Sequence, residues 1–358
     1  LAQVAGVADG TKEELDMSSD SRVTVVRLGA ITKHDNADSL GVVQVFGGYP
    51  CIVRLGEFNE GDLAIYVPMD MVVPDRPEFA FLEGNRRIKA RRLRGTFSMG
   101  LLVKAPLGAV EGDDVTDSLG FVKWEPLLTK VQCSGQAPDE VDGSGMPVYT
   151  DIESLRRWGH MLELGERVII TEKIHGENAR FCWRDGRMWV GSRTRVKQDN
   201  ERSQWWRAAR QYGLAAKLAT ALDLVFFGET HGYTGGYPYG VERGGLALRI
   251  FDVWERGTRR YLDFDDAAQM LRHLGLPTVP VLFDGPWSPD LRSLAEGQST
   301  LDPSHVREGI VVRPVRERRD HELGRVVLKL HGEGFLVGKG KSHNKLPETI
   351  RTKSAKVT

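Results

Sequence analysis

The sequence predicts an α+β chain in two parts, a small β-barrel followed by a larger domain built on antiparallel sheets. Three observations lead there. The length, 358 residues, exceeds what a single hydrophobic core usually serves. Across residues 22–103, short segments rich in β-branched and aromatic side chains recur at close spacing. Beyond a stretch of Gly, Ser, Pro and Asp, strand-like and helix-like segments alternate as far as Val337.

Residues 1–20 are small, polar and acidic, without the basic start and apolar run of a secretion signal, and are expected to be disordered, with Met17 an alternative start. Strands are expected at 23–28, 41–46, 51–55 and 63–67; Gly47-Gly48 supplies a hairpin turn, and Pro68 ends the fourth. Short strands at this spacing favour an OB-like β-barrel over residues 21–130. Residues 131–147 read as a linker, and 151–158 as a short helix capped by Asp151. The second domain is expected over 148–338. A basic tail at 339–358 follows, with Lys341, Lys345, Arg351, Lys353 and Lys356 against Glu348. The segment after Lys329 is too short for a second barrel, so the barrel-like part is expected upstream of the larger domain.

The 49 basic and 49 acidic residues cancel, so no global field draws the chain to nucleic acid or membrane. Charge is concentrated locally instead. Arg86, Arg87, Lys89, Arg91, Arg92 and Arg94 place six cations within nine residues, a density suited to salt-sensitive, sequence-independent phosphate contact from one or two neighbouring strands. Cys51, Cys133 and Cys182 lie far apart with no CxxC pair, which excludes a disulfide framework and a cysteine-rich zinc site and suits a reducing cytoplasm. No apolar run approaches the roughly 18–20 residues a membrane span needs.

The chemistry centres on Lys173, set directly after Val168-Ile169-Ile170 and just before Gly176. An amine at a strand end, partly desolvated beside other cations, loses its proton more easily and becomes a nucleophile. A Lys-x-His-Gly string alone reads first as an ordinary strand-to-turn junction. Downstream, however, come Ser192-Arg193 and Gly228-Glu229 at strand ends, Phe251-Asp252 within a strand, Glu308-Gly309 leading another, and Lys329 in the closing apolar string. Singly, each is a surface charge or a core aromatic. Together they supply a nucleophile, two cations for phosphate, two carboxylates for a metal or a ribose, and an aromatic face for a base.

This ordered set, Glu172-Lys173-x-His175-Gly176-x-Asn178 through Lys329, resembles the RNA-ligase branch of the covalent lysyl-nucleotidyltransferases, relatives of DNA ligases and capping guanylyltransferases, over about residues 147–336. Residues 56–62 and 86–95 are similar to the N-terminal OB-like module of the fifth RNA ligase family. The resemblance implies an ATP-grasp-like adenylyltransferase domain using ATP with Mg²⁺ or Mn²⁺. Lys173 would take AMP from ATP, the AMP would pass to an RNA 5′-phosphate, and a 3′-hydroxyl would displace it to seal a nicked duplex or broken ends. It also implies that Glu172 helps place adenine, that Phe251 stacks on it, and that Arg193 meets phosphate or the end being joined. Glu229 would serve the ribose or a metal-bound water, Glu308 the metal, and Lys329 the α-phosphate. Asn178, beside His175 and Gly176 in the nucleotide-binding string, would bond a phosphate oxygen. The cations around the α-phosphate would lower the Lys173 pKa. The six-cation segment would hold RNA, and the protein would act as a cytoplasmic monomer.

Two departures stand out. His175 occupies a place where DNA ligases and capping enzymes commonly carry Asp, which points to the RNA branch without making His175 a metal ligand. Val327 stands where many relatives have the first lysine of a Lys-x-Lys pair, and Arg325, two residues back, does not simply replace it. Two alternatives stay open: a ligase with DNA or mixed preference, and a nucleic-acid-binding scaffold with weakened chemistry.

Overall fold

The computed structural model describes residues 21–82, 84–124, 138–149, 151–232 and 237–338. The start at 1–20, Cys133, the first part of the expected linker at 131–137 and the basic tail at 339–358 lie outside the described residues.

The N-terminal module is made of short strands: β1 (Thr24–Arg27), β2 (Ile31–Lys33), β3 (Leu40–Val45), β4 (Tyr49–Arg54), β5 (Leu63–Val67), β6 (Met71–Val72), β7 (Arg91–Leu93), β8 (Thr96–Ser98), β9 (Leu101–Lys104) and β10 (Val122–Lys123). They pair in the orders β1-β5-β9, β2-β3-β4, β7-β8 and β10-β6, all antiparallel. Alternation along β4 turns Tyr49, Cys51 and Val53 into a core with Val26, Val43, Tyr66 and Phe97. A second cluster around Val25, Ile65, Val67 and Phe121 covers the other side of β1 and β5. Cys51 and Cys182 are both buried free thiols.

The larger domain contains β11 (Glu153–Ser154), β12 (Arg167–Lys173), β13 (Glu177–Arg184), β14 (Arg187–Gly191), β15 (Leu224–His231), β16 (Ala247–Glu255), β17 (Arg260–Tyr261), β18 (Val281–Pro286), β19 (Gly309–Pro314), β20 (Arg319–Asp320), β21 (Gly324–Arg325) and β22 (Leu328–His331). Two five-stranded sheets result, ordered β11-β22-β19-β12-β18 and β14-β13-β15-β16-β17. Their ladders are antiparallel except for the parallel pair of β11 with β22. Helices Gln204–Gln211, Leu214–Leu218 and Phe264–His273 supply Trp205, Leu214, Leu218, Ala267 and Leu271 to the core beneath the second sheet. No helix among the described residues is long and apolar enough to cross a membrane.

Two expectations are corrected here. The helix expected at 151–158 covers only Leu155–Trp158, and its cap is Ser154, whose hydroxyl accepts from the Arg156 amide at 3.3 Å. Asp151 is drawn away by Arg193, 2.6 Å distant. Residues 138–147 are not a free linker. Asp139 pairs with Lys197 at 2.5 Å and Glu140 with Arg187 at 2.5 Å, while Met146 is buried against Trp189 and Trp254. Their Gly, Ser and Asp content reflects turns, such as Asp142 accepting from Ser144, that lay the segment onto the sheet.

A seam joins the two parts. Gly48 approaches the helix Leu155–Trp158 so closely that a β-carbon there would lie 2.4 Å from the Arg156 carbonyl oxygen, which only glycine permits. The Arg157 guanidinium sits 4.2 Å over the Phe46 ring, and Arg92 reaches Glu333 at 2.6 Å. Leu336 and Val337, at the end of helix Glu333–Leu336, pack on the N-terminal core.

Candidate active site

A pocket of about 300 Å³ opens between the two five-stranded sheets. One wall comes from β12, β19 and β22, where alternate residues face inward: Thr171 and Lys173, Val311 and Arg313, Lys329 and His331. The facing wall carries Asn178, Glu229 and Phe251 from β13, β15 and β16. Asn178 and Glu229 are direct cross-strand partners. Phe251 owes its position to a bulge: Phe227 pairs with Asp252 and Gly228 with Ile250, so Phe251 is the extra residue. Such a bulge re-aims a side chain, and both Phe251 and Asp252 consequently line the pocket.

Lys173 is the last residue of β12, and its Nζ donates to Glu308 Oε1 at 2.8 Å. The turn that follows requires glycine, because a β-carbon at Gly176 would lie 2.2 Å from the Thr230 carbonyl oxygen. His175 Nδ1 and His331 Nε2 each stand 3.6 Å from the same Glu308 oxygen. The other oxygen, Oε2, is buried with no hydrogen-bond partner.

Burial pushes the Glu308 carboxyl up, but Lys173 and the two histidines outweigh it and hold it well below the usual carboxylate range. Glu229 goes the other way: burial, with Glu308 adding to it, pushes its pKa to about 8 against the pull of Lys173. Burial disfavours the Lys173 ammonium, yet Glu308 and Glu229 prevail and raise its pKa. The expected depression of that pKa by neighbouring cations is therefore corrected. The amine has a buried carboxylate, Glu308, as its immediate neighbour, and this is the dominant charge it feels.

The remaining expected residues are distributed as follows. Glu172 is 1% exposed and its Oε2 accepts from the Thr300 amide at 2.9 Å and hydroxyl at 2.5 Å; Oε1 is buried and unpartnered. Asn178 Oδ1 is likewise buried without a partner. Arg193 lines the pocket, held by the Tyr149 carbonyl at 2.8 Å and by Asp151. Lys329 lines it from the opposite wall, while His175 and Gly176 stand outside the lining, on the turn beyond Lys173. Val327, 4% exposed, presents an apolar surface to the pocket. Arg325 does not fill in for the missing lysine. Its guanidinium is bound to Asp252 at 2.6 Å and to Glu317 at 2.6 Å.

Asp252 is the centre of a buried cluster that sequence reasoning left without a role. It pairs with Arg313 at 2.7 Å as well as Arg325, and accepts from the Tyr149 hydroxyl at 2.9 Å. Arg313 also donates to the Phe251 carbonyl at 2.6 Å, so the cluster fixes the bulge that presents Phe251. His331 was missed too, although its spacing of two from Lys329 on one strand places both on the same face.

The six-cation segment does not form one open surface. Only Arg91 and Arg92 lie on a strand, β7. Arg87 is clamped by Asp70 at 2.6 Å and stacked 3.3 Å over Trp124, while Arg94 donates to the Asn36 carbonyl from a turn with φ 48°. Arg86 faces Asp75 at 3.9 Å, and Lys89 is crowded by burial, Arg87 and Arg91, which lower its pKa. Arg92 is committed to the seam, and Arg91 is exposed. Local acids and backbone carbonyls, spread through the chain, take up cations that look free in a linear reading.

Comparison with known proteins agrees with this architecture. Residues 166–331 match the RNA ligase family model, and residues 22–106 match an OB-fold domain model. No curated protein sequence matches the chain. Among solved structures, an RNA ligase of Naegleria gruberi with ATP and Mn is similar at TM-score 0.76 and 23% identity, over 88% of this chain and 98% of that one. The same ligase with PPi gives 0.76 at 24% identity, and with AMP and Mn 0.76 at 23%, with the same coverage.

Proposed function

The chain carries an RNA ligase-family domain behind an N-terminal OB-fold domain, and from that premise we propose that it is an ATP-dependent RNA ligase working through a lysyl-AMP intermediate. The observation that carries the reading is the Lys173 amine, which lines a pocket of about 300 Å³ and donates to Glu308 at 2.8 Å. Lys173 attacks the α-phosphorus of ATP and expels pyrophosphate. The AMP then moves to an RNA 5′-phosphate, and a 3′-hydroxyl displaces it to form the phosphodiester.

Phe251 offers its ring to adenine, and Glu172 the backbone at the pocket floor. Arg193 and Lys329 stand on opposite walls as the phosphate-facing cations. Asn178 Oδ1, buried and unpartnered, takes a donor from the nucleotide or from a water on it. Glu308 and Glu229 are the residues that would hold a divalent cation. Hard carboxylate oxygens and the orphaned Glu308 Oε2 suit Mg²⁺ or Mn²⁺, which commonly takes one or two carboxylates and completes its shell with phosphates and water. When bound, such an ion neutralises charge on the phosphates. Catalysis of this kind rests on positioning and charge neutralisation. The chain's own contribution is to hold the amine in line and to free it from Glu308 when it must lose its proton.

The wild-type protein, first cleared of any resident AMP, is expected to retain label from ATP labelled at the α-phosphate, and to seal a nick with RNA on both sides. A panel with RNA or DNA separately on each side of the nick tests the strand preference. No label on the protein would sink the reading, and efficient sealing of an all-DNA nick would move it to a polynucleotide ligase. For RNA grip, Arg91→Ala is expected to weaken nicked-duplex binding and to lower the slope of log K against log salt by about one. An unchanged slope would remove Arg91 from the interface.

A further inference from the structure

Outside the pocket, beside Lys173, lies a belt of rings that the nucleotide chemistry does not use. His175 packs edge-on to Tyr237 with centroids 5.5 Å apart and stands 6.0 Å from Phe335. Tyr237 in turn meets Phe335 at 5.4 Å and His305 at 5.5 Å, and Phe335 stacks on His331 at 6.1 Å with 15° between planes. His175 is exposed and the other four residues are partly exposed. Only His331 also lines the pocket. The belt is therefore a separate surface, joined to the reacting lysine through Glu308, which both histidines approach to 3.6 Å.

Hydrogen bonds also tie both ends of the belt to the surrounding chain. Tyr239, next to Tyr237 in the ring cluster, accepts the His175 amide on its hydroxyl at 2.8 Å. The helix that carries Phe335 is pinned by Glu296, whose carboxylate accepts the Glu333 amide at 2.5 Å and the Gly334 amide at 3.2 Å, and by Arg92 from the N-terminal module. Fixed, half-exposed rings are what base stacking needs, and stacking tolerates any base because every base has a π-face.

We propose that this belt, centred on Tyr237 and Phe335, stacks the nucleobase of the RNA nucleotide that bears the 5′-phosphate. The proposal rests on the ligase reading above. In the transfer step the P–N bond of lysyl-AMP breaks, an oxygen of the 5′-phosphate forms the new P–O bond, and the amine recovers a proton. That phosphate must reach the phosphorus held on Lys173, so its own nucleoside is brought to the rim next to Lys173 and Glu308. The ring belt occupies that rim.

The test separates loading from discharge. Protein loaded with labelled AMP is chased in a single turnover with a nicked duplex carrying either a normal or an abasic 5′-phosphorylated end. In Tyr237→Ala and Phe335→Leu, discharge is expected to fall on the order of tenfold more than loading does, and Tyr237→Phe to restore it. Wild-type protein should slow to a similar degree on the abasic end, while Tyr237→Ala should be nearly indifferent to the missing base, the non-additive pattern of two partners in one contact. Equal losses in loading and discharge, or an abasic end handled by the wild type as well as a normal one, would overturn the proposal. A wild-type protein that never loads would overturn the ligase reading and this one with it.

Discussion

Lys173→Ala is expected to abolish retention of label from ATP labelled at the α-phosphate, and with it all sealing that starts from ATP. On the proposed reading the amine forms the phosphoramidate: Lys173 donates to Glu308 and lines the pocket, whereas Lys329 enters that pocket from β22, across the cavity from Glu229 and Phe251. Joining of a strand already carrying AMP at its 5′ end should survive far better, because the lysine has no bond to make there. Loss of both activities together would mean that Lys173 acts by holding Glu308 rather than by carrying AMP. The pH dependence has a definite sign. Burial lowers the amine's pKa, but Glu308 and Glu229 reverse this and leave it raised, so the attacking neutral form is scarce at neutral pH and grows as pH rises. The loading rate should climb roughly tenfold per pH unit on its low-pH side. A flat profile would show that Glu308 no longer faces the amine when ATP is bound.

Asp252→Ala should be among the most destabilising single changes in the chain. It removes the carboxylate shared by Arg313 and Arg325, which are 9% and 7% exposed at their side chains, and among the described residues leaves Glu317, on Arg325, as the acid paired with either buried cation. Breaking a buried pair in this way costs about 3–5 kcal/mol. Thermal melting reports the loss, and a fall of under a degree would contradict the assignment. Asp252→Asn keeps the shape and two acceptor lone pairs, and is expected to fall between wild type and alanine. ATP affinity should drop in both, since Arg313 loses the partner that steadies its bond to the Phe251 carbonyl. The acid side follows from the same contacts. Burial pushes the Asp252 carboxyl up, but Arg325 and Arg313 overcome it and bring the pKa to about 2 from an ordinary 3.8. A depressed carboxylate stabilises the fold fully above its unfolded pKa and loses that contribution as pH falls through the folded one. The cluster should thus persist through mild acid and give way between about pH 4 and 2.

The two-part architecture was legible from strand spacing and from the glycines between strands, because β-branched alternation and turn chemistry are local signals. Many of the pocket residues were legible for a related reason: Lys173, Asn178, Glu229 and Lys329 sit near the ends of hydrophobic strands, so order along the chain stands in for convergence in space. What escaped was whatever depends on long-range pairing. The Lys173 pKa was misjudged because Glu308, 135 positions away, is a closer neighbour than any cation. The basic segment looked free because Asp70, Glu333 and the Asn36 carbonyl, which engage Arg87, Arg92 and Arg94, are scattered through the sequence. The bulge at Phe251 leaves no local signature, since it arises from a register slip against β15.

The helix Glu333–Leu336 gives the boundary of the catalytic part a physical meaning. The RNA ligase match ends at residue 331, and a fragment cut there would look complete by motif. Yet Leu336 and Val337 close the hydrophobic interior of the N-terminal module, while Phe335, one residue earlier, faces the rim beside Lys173. A single turn of chain serves as lid for one folding unit and as furniture for the other. Dividing the protein at the edge of the motif would strip apolar cover from the barrel and the Phe335 ring from beside His175 at once. The two units are best regarded as sharing an element, not as beads on a string.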